Sequence, residues 1–575
     1  MTTQQHVRQF FSQSDLGQAL EACKSSFFYA GFFSLFINLL LLVPSFYMLA
    51  VYDKVLVSGS ESTLLMLSLL AVFLFLVMGG LEWIRSQILI ASSARLDGLL
   101  GGRVFDSMFT QMLASGGRSS SAQALQDLLQ LRQFLTGPGL FAFFDAPWMP
   151  IYLVLMFLFH WAFGVVAVIS GLILAALAIW NEIATKQDLN KANQASQEAN
   201  QFTQRNLRNA EVIEAMGMLP RLRERWQQQQ SEVIALQGKA SSKAGLISGL
   251  VKTFRLAIQS LVLGLGAYLA IHKEITPGLV IAGSILLGRA LAPLDLMVNT
   301  WRGFSQAREA FHRLTTLLET FPKVEPAMPL PEPQGHLTVE QLIIAPPGCN
   351  QPIIKGISLT IDPGQTVAII GPSAAGKSTF VRALLGLYRP AKGAVRLDGA
   401  EIQQWNREQL GDYLGYLPQD VELLDGTVSE NIARFREVDP DQVVAAAQQA
   451  GIHDMILRLP QAYDTRLVGG GQLMSAGQQQ RIGIARALYG NPKVVVLDEP
   501  NANLDQAGDA ALMDTLAQLK RQGKTVVVVT HRNNLLSLAD KILLLVDGQA
   551  AAFGPRDEVL AALSQPRTMP QTATA

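Results

Sequence analysis

The chain has 575 residues with 46 Lys+Arg and 46 Asp+Glu, so its formal net charge is zero. Charged residues make up 16%, against about 25% in ordinary soluble domains, while 49% are hydrophobic and the mean hydropathy is positive. These values argue against a disordered chain and a strongly basic nucleic-acid binder. Two cysteines, Cys23 and Cys349, leave no disulfide framework and no Cys metal cluster. The composition points to a membrane protein, or to a large protein with a membrane half.

Six apolar runs are long enough, at about 20 residues, to cross a bilayer: 27–51, 63–83, 141–159, 161–181, 246–271 and 278–298. Gln4, Gln5, Arg8, Gln13 and Lys24 precede the first, and no small-residue cleavage site is present, so it reads as a retained helix and not a signal peptide. The third and fourth form a hairpin broken only at His160-Trp161. Arg85, Arg95, Arg103, Arg118 and Arg132 follow the second run. A further basic set from Lys186 to Lys243 follows the fourth. The segments after the first and fifth runs hold only Lys54 and Lys273, so both long connections and both termini are expected in the cytoplasm. Residues 186–243 read as helical extensions of the spans.

Charges inside spans are costly and usually face protein or water. Arg289, near the middle of the sixth run, is expected to line a translocation path or to pair with an acid from another helix; the plainer reading is snorkelling to water. Asp145, before Pro147 and Pro150, is expected to cap a helix start at the cytoplasmic face. Gly79-Gly80, Gly264, Gly266 and Gly283 are expected to allow close helix packing.

Pro322, Pro326, Pro329, Pro331 and Pro333 form a semi-rigid linker. Beyond it, β-branched runs (366–370, 494–497, 525–530) alternate with helical stretches, as in an α/β domain with a largely parallel sheet. The strand at 366–370 leads into Gly371-Pro-Ser373-Ala-Ala-Gly376-Lys377-Ser378-Thr379 and then an apolar helix, which is the P-loop pattern in its required context. Backbone N–H groups of such a loop face phosphate oxygens, with positive potential added by the helix N terminus. Lys377 is expected on the β/γ-phosphates and Ser378 on Mg²⁺. Ser373 and Thr379 belong to the same ATP-binding loop. The strand 494–498 ends in Asp498, placed for Mg²⁺, and Glu499, placed to orient or deprotonate the attacking water.

Gln419 after Tyr416-Leu417-Pro418, the run Met474-Ser475-Ala476-Gly477-Gln478-Gln479-Gln480-Arg481, Ala502-Asn503-Leu504-Asp505 and His531 follow in order. Together with the P-loop they resemble the Q-loop, signature, D-loop and H-loop of ATP-binding-cassette (ABC) ATPases over about 335–560. The resemblance implies that Gln419 senses Mg²⁺ and the membrane half, and that His531 contacts the γ-phosphate. It also implies that Ser475, Gly477, Gln478 and Asp505 help bind ATP across a dimer. Met474 and Ala476 stand where the signature usually has Leu and Gly, so a working but slower site is expected. Ala345 stands where an adenine-stacking aromatic is usual.

Six spans followed by one such domain resemble an ABC half-exporter. Segments 51–56, 145–152 and 281–293 are similar to those of type I protein-secretion ATPases, in the branch without an N-terminal peptidase domain. The resemblance implies a homodimer in the bacterial inner membrane that uses ATP and Mg²⁺. It would export unfolded proteins with C-terminal signals and work with a periplasmic membrane-fusion protein and an outer-membrane channel protein. A lipid or drug exporter is the alternative; no nucleic-acid partner is expected. The expected organisation is a segment 1–26, a six-helix all-α transmembrane domain 27–305, a helix end and linker 306–334, an α/β P-loop NTPase domain 335–560 and a disordered tail 561–575.

Overall fold

A computed structural model describes residues 14–116, 123–207, 209–323, 328–349, 351–469 and 474–564. It divides into two compact units, one of residues 1–109 with 121–323, the other of 110–120 with 324–575. Six helical segments among the described residues are long and apolar enough to cross a membrane, from Lys24–Ser58 to Pro277–Thr320.

The first unit opens on α1 (Asp15–Ala22), a helix within the segment before the first span. Ser14 caps it, accepting from the Gly17 N–H at 2.9 Å. Its buried Leu16 and Ala19 pack with Leu96, Leu100, Leu314 and Leu318. The first span comprises α2 (Lys24–Leu40), α3 (Val43–Ala50) and a π-helical turn, Val51–Val55. Then come α4 (Glu61–Ala114), α5 (Gln123–Thr136), α6 (Pro138–Asp145), α7 (Met149–Phe159), α8 (Trp161–Leu207), α9 (Leu219–Ile271) and α10 (Pro277–Thr320). Most of the connection 186–243 is helical as expected, because α8 runs on to Leu207 and α9 begins at Leu219, with the short helix Ala210–Ala215 between them. In α10, 44% of the most apolar stretch is buried, against 6% in α4, which makes α10 the central helix of the unit. Its Gly278, Ala282, Gly283, Ser284 and Ala290 are buried small residues that let neighbours approach closely.

Polar side chains inside this unit pair with one another. Arg85 Nη1 donates to Asp145 Oδ1 at 3.0 Å and to Ser34 Oγ at 2.8 Å, with its guanidinium over the Phe141 ring. Asn38 Nδ2 donates to the same Asp145 oxygen at 2.9 Å, and Tyr152 donates to Asn38. Asp145 therefore does not cap a helix start. It is the last residue of α6, its side chain accepts no backbone N–H, and it serves as the anion of a buried ion pair. Asp295 pairs with Arg255 at 2.7 Å, whereas Arg289 is exposed and forms no ion pair among the described residues. At the other end, Asp53 in the π-helical turn accepts from the Gly278 N–H at 2.8 Å and from Thr276. A Cβ at Gly278 would lie 2.6 Å from that carboxyl, so glycine is required there. The packing glycines divide: Gly266 and Gly283 have Phe163 at 3.2 and 3.0 Å from an added Cβ, but Gly79, Gly80 and Gly264 have no neighbour within 4 Å among the described residues.

The second unit holds β1 (Leu337–Ile344), β2 (Ile354–Ile361), β3 (Thr366–Ile370), α11 (Lys377–Leu384), β4 (Lys392–Leu397), β5 (Ala400–Glu401) and β6 (Leu414–Leu417). These are followed by α12 (Ala476–Leu488), β7 (Val494–Asp498), α13 (Gln506–Arg521), β8 (Thr525–Val529), β9 (Lys541–Val546) and β10 (Gln549–Pro555). An antiparallel sheet runs β2-β1-β4-β5, and a larger sheet runs β10-β9-β3-β8-β7-β6, parallel from β9 to β6. Val526 and Val528 belong to one core cluster and Val527 and Val529 to the other, so β8 is buried on both faces. The helix Arg556–Ser564 carries structure beyond residue 560, because Val559 and Leu560 pack into that core. The rest of the expected tail lies outside the described residues.

Candidate nucleotide site

Strand register brings the reactive groups together. In β3-β8-β7-β6, Ile369 pairs with Val529, Val529 with Asp498, and Leu417 with Leu497. Four parallel strands therefore end along one edge, where α/β sheets bind ligands. From that edge project the P-loop after β3, Asp498 and Glu499 from β7, His531 after β8 and Gln419 after β6.

The loop after β3 needs both its glycines. Gly371 has φ +152°, and a Cβ there would lie 2.1 Å from the Leu545 carbonyl oxygen; Gly376, at φ +98°, is the residue before α11. Lys377 is buried and folds back on its own loop, with Nζ donating to the carbonyls of Gly371 (2.8 Å) and Pro372 (3.1 Å). Ser378 and Thr379 are half-buried in the first turn of α11, and Ser373 is exposed at the loop's crown.

Asp498 is 2% exposed, and burial pushes its carboxyl above the usual range; a hydrogen bond from Ser378 opposes this and the Glu499 charge adds to it. Its Oδ1 is buried with no hydrogen-bond partner among the described residues. Glu499 has φ +50°, a strained backbone for a non-glycine residue that is often found at working sites. Its side chain sits between two others, with Gln419 Nε2 donating to Oε2 at 3.2 Å and His531 Nε2 lying 3.7 Å from Oε1.

The signature residues form a separate group. Ser475 and Gln478 make a capping box at the start of α12: Gln478 N–H donates to Ser475 Oγ (3.3 Å) and Ser475 N–H to Gln478 Oε1 (3.0 Å). Ser475 and Ala476 are exposed, whereas Met474 is buried in the core, where it replaces a leucine-sized group. A Cβ at Gly477 would lie 2.7 Å from the Asn503 carbonyl, so the α12 start and the Asn503 loop touch closely. Asp505 caps α13, accepting from Gly508 N–H at 2.8 Å. No hydrogen bond among the described residues joins Ser475, Gly477, Gln478 or Asp505 to the P-loop group.

Two further residues support the site in roles that their place in the sequence does not announce. Gln480 is fully buried and donates to the Pro500 carbonyl at 3.2 Å, tying α12 to the turn after Glu499. Arg434 donates to the carbonyls of Leu414, Arg486 and Ala487, which pins β6 to the end of α12; burial lowers its pKa to about 10. A lone arginine in a loop carries no spacing signal, so only its contacts reveal it.

A strand-edge phosphate loop with acids beside it, in a chain with six apolar spans, defines a membrane-bound ATPase. The family described as ABC transporter matches residues 354–502, and the ABC transporter transmembrane region matches 27–292. The chain is 43% identical to the type I secretion system ATP-binding protein PrsD of Rhizobium meliloti (strain 1021), over 96% of this chain and 95% of that protein. It is 28% identical to the leukotoxin export ATP-binding protein LtxB of Aggregatibacter actinomycetemcomitans, over 92% and 75% respectively. A solved bacterial Atm1-family ABC exporter with ATP bound has the same fold, at a TM-score of 0.82 and 23% identity, over 96% of this chain and 99% of that one. The chain belongs to the ABC transporter family, as an ATP-hydrolysing exporter of the type I protein-secretion class.

Proposed function

We propose that Glu499 is the general base of ATP hydrolysis and that two copies of the chain form two shared ATP sites. The carrying observation is the Gln419–Glu499–His531 cluster at the strand edge, beside the P-loop. Lys377 would leave its loop carbonyls for the β/γ-phosphates. Gly371, Ser373, Gly376 and Thr379 would frame the triphosphate, and His531 would contact the γ-phosphate. The residues fit Mg²⁺: the bare, buried Asp498 Oδ1 beside Ser378 offers a hard oxygen pair, and a cation would offset the cost of burying that charge. Bound there with help from Gln419, the ion would supply charge neutralisation at the phosphates.

Ser475 and Gly477, exposed or close to the surface at the start of a helix, would meet the γ-phosphate held by the other copy; Gln478 and Asp505 would hold that surface in shape. The membrane half is proposed to lie in the bacterial inner membrane with the ATPase in the cytoplasm. Its substrates would be unfolded proteins with C-terminal signals, passed to a periplasmic membrane-fusion protein and an outer-membrane channel protein. Arg289, exposed and without an ion-pair partner among the described residues, would line the path. Phosphate release by the purified protein, wild type against Glu499→Gln, tests the catalytic reading; loss of hydrolysis with ATP still bound is expected. Added C-terminal segment of a candidate substrate should change the wild-type rate.

A further inference from the structure

The membrane unit contains a cavity, walled by both apolar and charged side chains, that the function proposed above does not use. It measures about 290 Å³ and lies between α8, α9 and α10, lined among others by Asn181, Glu182, Lys186, Trp301, Arg302 and Ser305. This is at the low end for small-ligand pockets, so it holds a headgroup-sized molecule and not a whole lipid.

Its level is fixed by the sequence. On α8 the apolar run ends at Trp180 and polar residues begin at Asn181; on α9 they give way to apolar residues at about Leu246; on α10 the apolar run ends at Val298. The cavity thus sits where three spans leave hydrocarbon and enter the polar interface. Trp180 and Trp301 lie at the same level, as aromatic side chains do at membrane boundaries.

The lining is charged and incompletely satisfied. Glu182 is taken by Arg308 at 3.7 Å, and the nearby Lys239 and Lys243 are taken by Asp188 at 3.8 and 2.6 Å. Lys186 and Arg302 form no ion pair among the described residues, which leaves the cavity rim cationic. Asn181 is 7% exposed, and its Oδ1 is buried without a hydrogen-bond partner among the described residues, an acceptor awaiting a donor. On α8 Ile179 and Ile183, one turn apart and next in the chain to Asn181 and Glu182, are 61% and 71% exposed.

We propose that this cavity binds the headgroup of a phospholipid. The phosphodiester would meet Lys186 and Arg302, a donor on the headgroup would reach Asn181 Oδ1, and the acyl chains would run toward the exposed Ile179 and Ile183. Basic pockets between spans at the cytoplasmic interface have this chemistry. The need for a donor selects an ammonium or a hydroxyl, as in phosphatidylethanolamine or phosphatidylglycerol, over phosphatidylcholine. The inference rests on the membrane reading but not on ATP chemistry.

The test is native mass spectrometry of the full-length protein in detergent, titrated with each of these three lipids, which reads binding whatever the orientation or ATPase rate. Retention of phosphatidylethanolamine or phosphatidylglycerol above phosphatidylcholine is expected. Lys186→Gln and Arg302→Gln should each weaken retention about fivefold. Lys186→Arg with Arg302→Lys should restore it, and Asn181→Leu should abolish the headgroup preference. Both cation positions are exposed, so their replacement leaves the fold intact. Equal retention in the double Gln variant overturns the site. Binding of soluble O-phosphoethanolamine with the same residue dependence, but not of lipid, overturns the lipid assignment. Failure of lipid to bind the dimer while the monomer binds it assigns the cavity to the second copy and overturns the proposal too.

Discussion

Two clusters of buried polar groups, one in each unit, are built in opposite ways. In the membrane unit Arg85, Asp145, Asn38, Ser34 and Tyr152 hydrogen-bond to one another, joining α2, α4, α6 and α7, with only Arg85 Nε among them left buried and unpartnered among the described residues. In the ATPase unit Asp498 keeps a buried oxygen bare, and Glu499 holds a strained backbone, at the ends of strands whose sides are fully packed. Polar atoms that satisfy each other fix a shape. Those left wanting at a sheet edge suit the proposed ligand, at a cost that the valine-rich core beneath them offsets. Losing a group from the first set should cost stability, and losing one from the second should cost chemistry.

The sharpest break comes at Glu499. Glu499→Gln removes the proposed base while keeping the Gln419 side of the cluster able to bond. Hydrolysis should fall by about 10²–10⁴-fold, read as phosphate release, with the melting temperature unchanged. A comparable loss of thermal stability would show that Glu499 holds the fold and would erase the contrast drawn here.

In the membrane unit the signs should reverse. Arg85→Met leaves Asp145 as an uncompensated, partly buried anion, a change worth about 3–5 kcal/mol. Thermal unfolding in detergent should show it, while ATP affinity stays put. The double variant Arg85→Met with Asp145→Leu should recover most of the loss, since a nonpolar pair can replace a buried ionic one. If the double variant is as unstable as the single one, the pair does more than hold helices together.

Asp498 lies on the boundary of the comparison. Burial raises its carboxyl above the usual value, so the folded chain holds the proton more tightly than the unfolded chain does. The resulting penalty is absent below the ordinary carboxyl value, grows as pH rises from there toward the raised one, and is fully present above it. Asp498→Asn should therefore stabilise the nucleotide-free protein at neutral pH, by about 2–4 °C for each kcal/mol relieved, and the gain should vanish in acid. The same change should remove Mg²⁺-dependent hydrolysis.

The ATPase edge was legible because its chemistry sits in contiguous strand–loop–helix runs: Gly371 to Thr379 and Val494 to Glu499 can be read in line, and strand pairing then brings them together. The six spans were legible for a similar reason, since a run of apolar residues is a local signal. Asp145 was misread because its partner Arg85 lies 60 residues away, and the helix that Pro150 opens starts at Met149 with Trp148, not Asp145, before it. Arg434, Gln480 and α1 were missed for the same reason. Their meaning lies in which carbonyls or side chains they meet, and spacing alone does not carry that. Gly79, Gly80 and Gly264 show the converse, a small-residue signal with no close neighbour in the described part of the chain.

The smallest effect tests how finely the ATPase surface is tuned. Ala476 is exposed in the first turn of α12, one residue from Gly477, where an added methyl would press within 2.7 Å of the Asn503 carbonyl. Ala476 itself is exposed, so the main steric consequence of its methyl would be at the phosphate of the other copy. Ala476→Gly would remove it and would cost the helix up to about 1 kcal/mol in propensity, less in a first turn already fixed by the Ser475–Gln478 box. Closer approach to phosphate and a looser helix start therefore nearly cancel, and hydrolysis should rise by no more than about threefold, read as the steady-state rate at saturating ATP. A tenfold rise would mean that this methyl, and not the membrane unit, sets the pace of the motor.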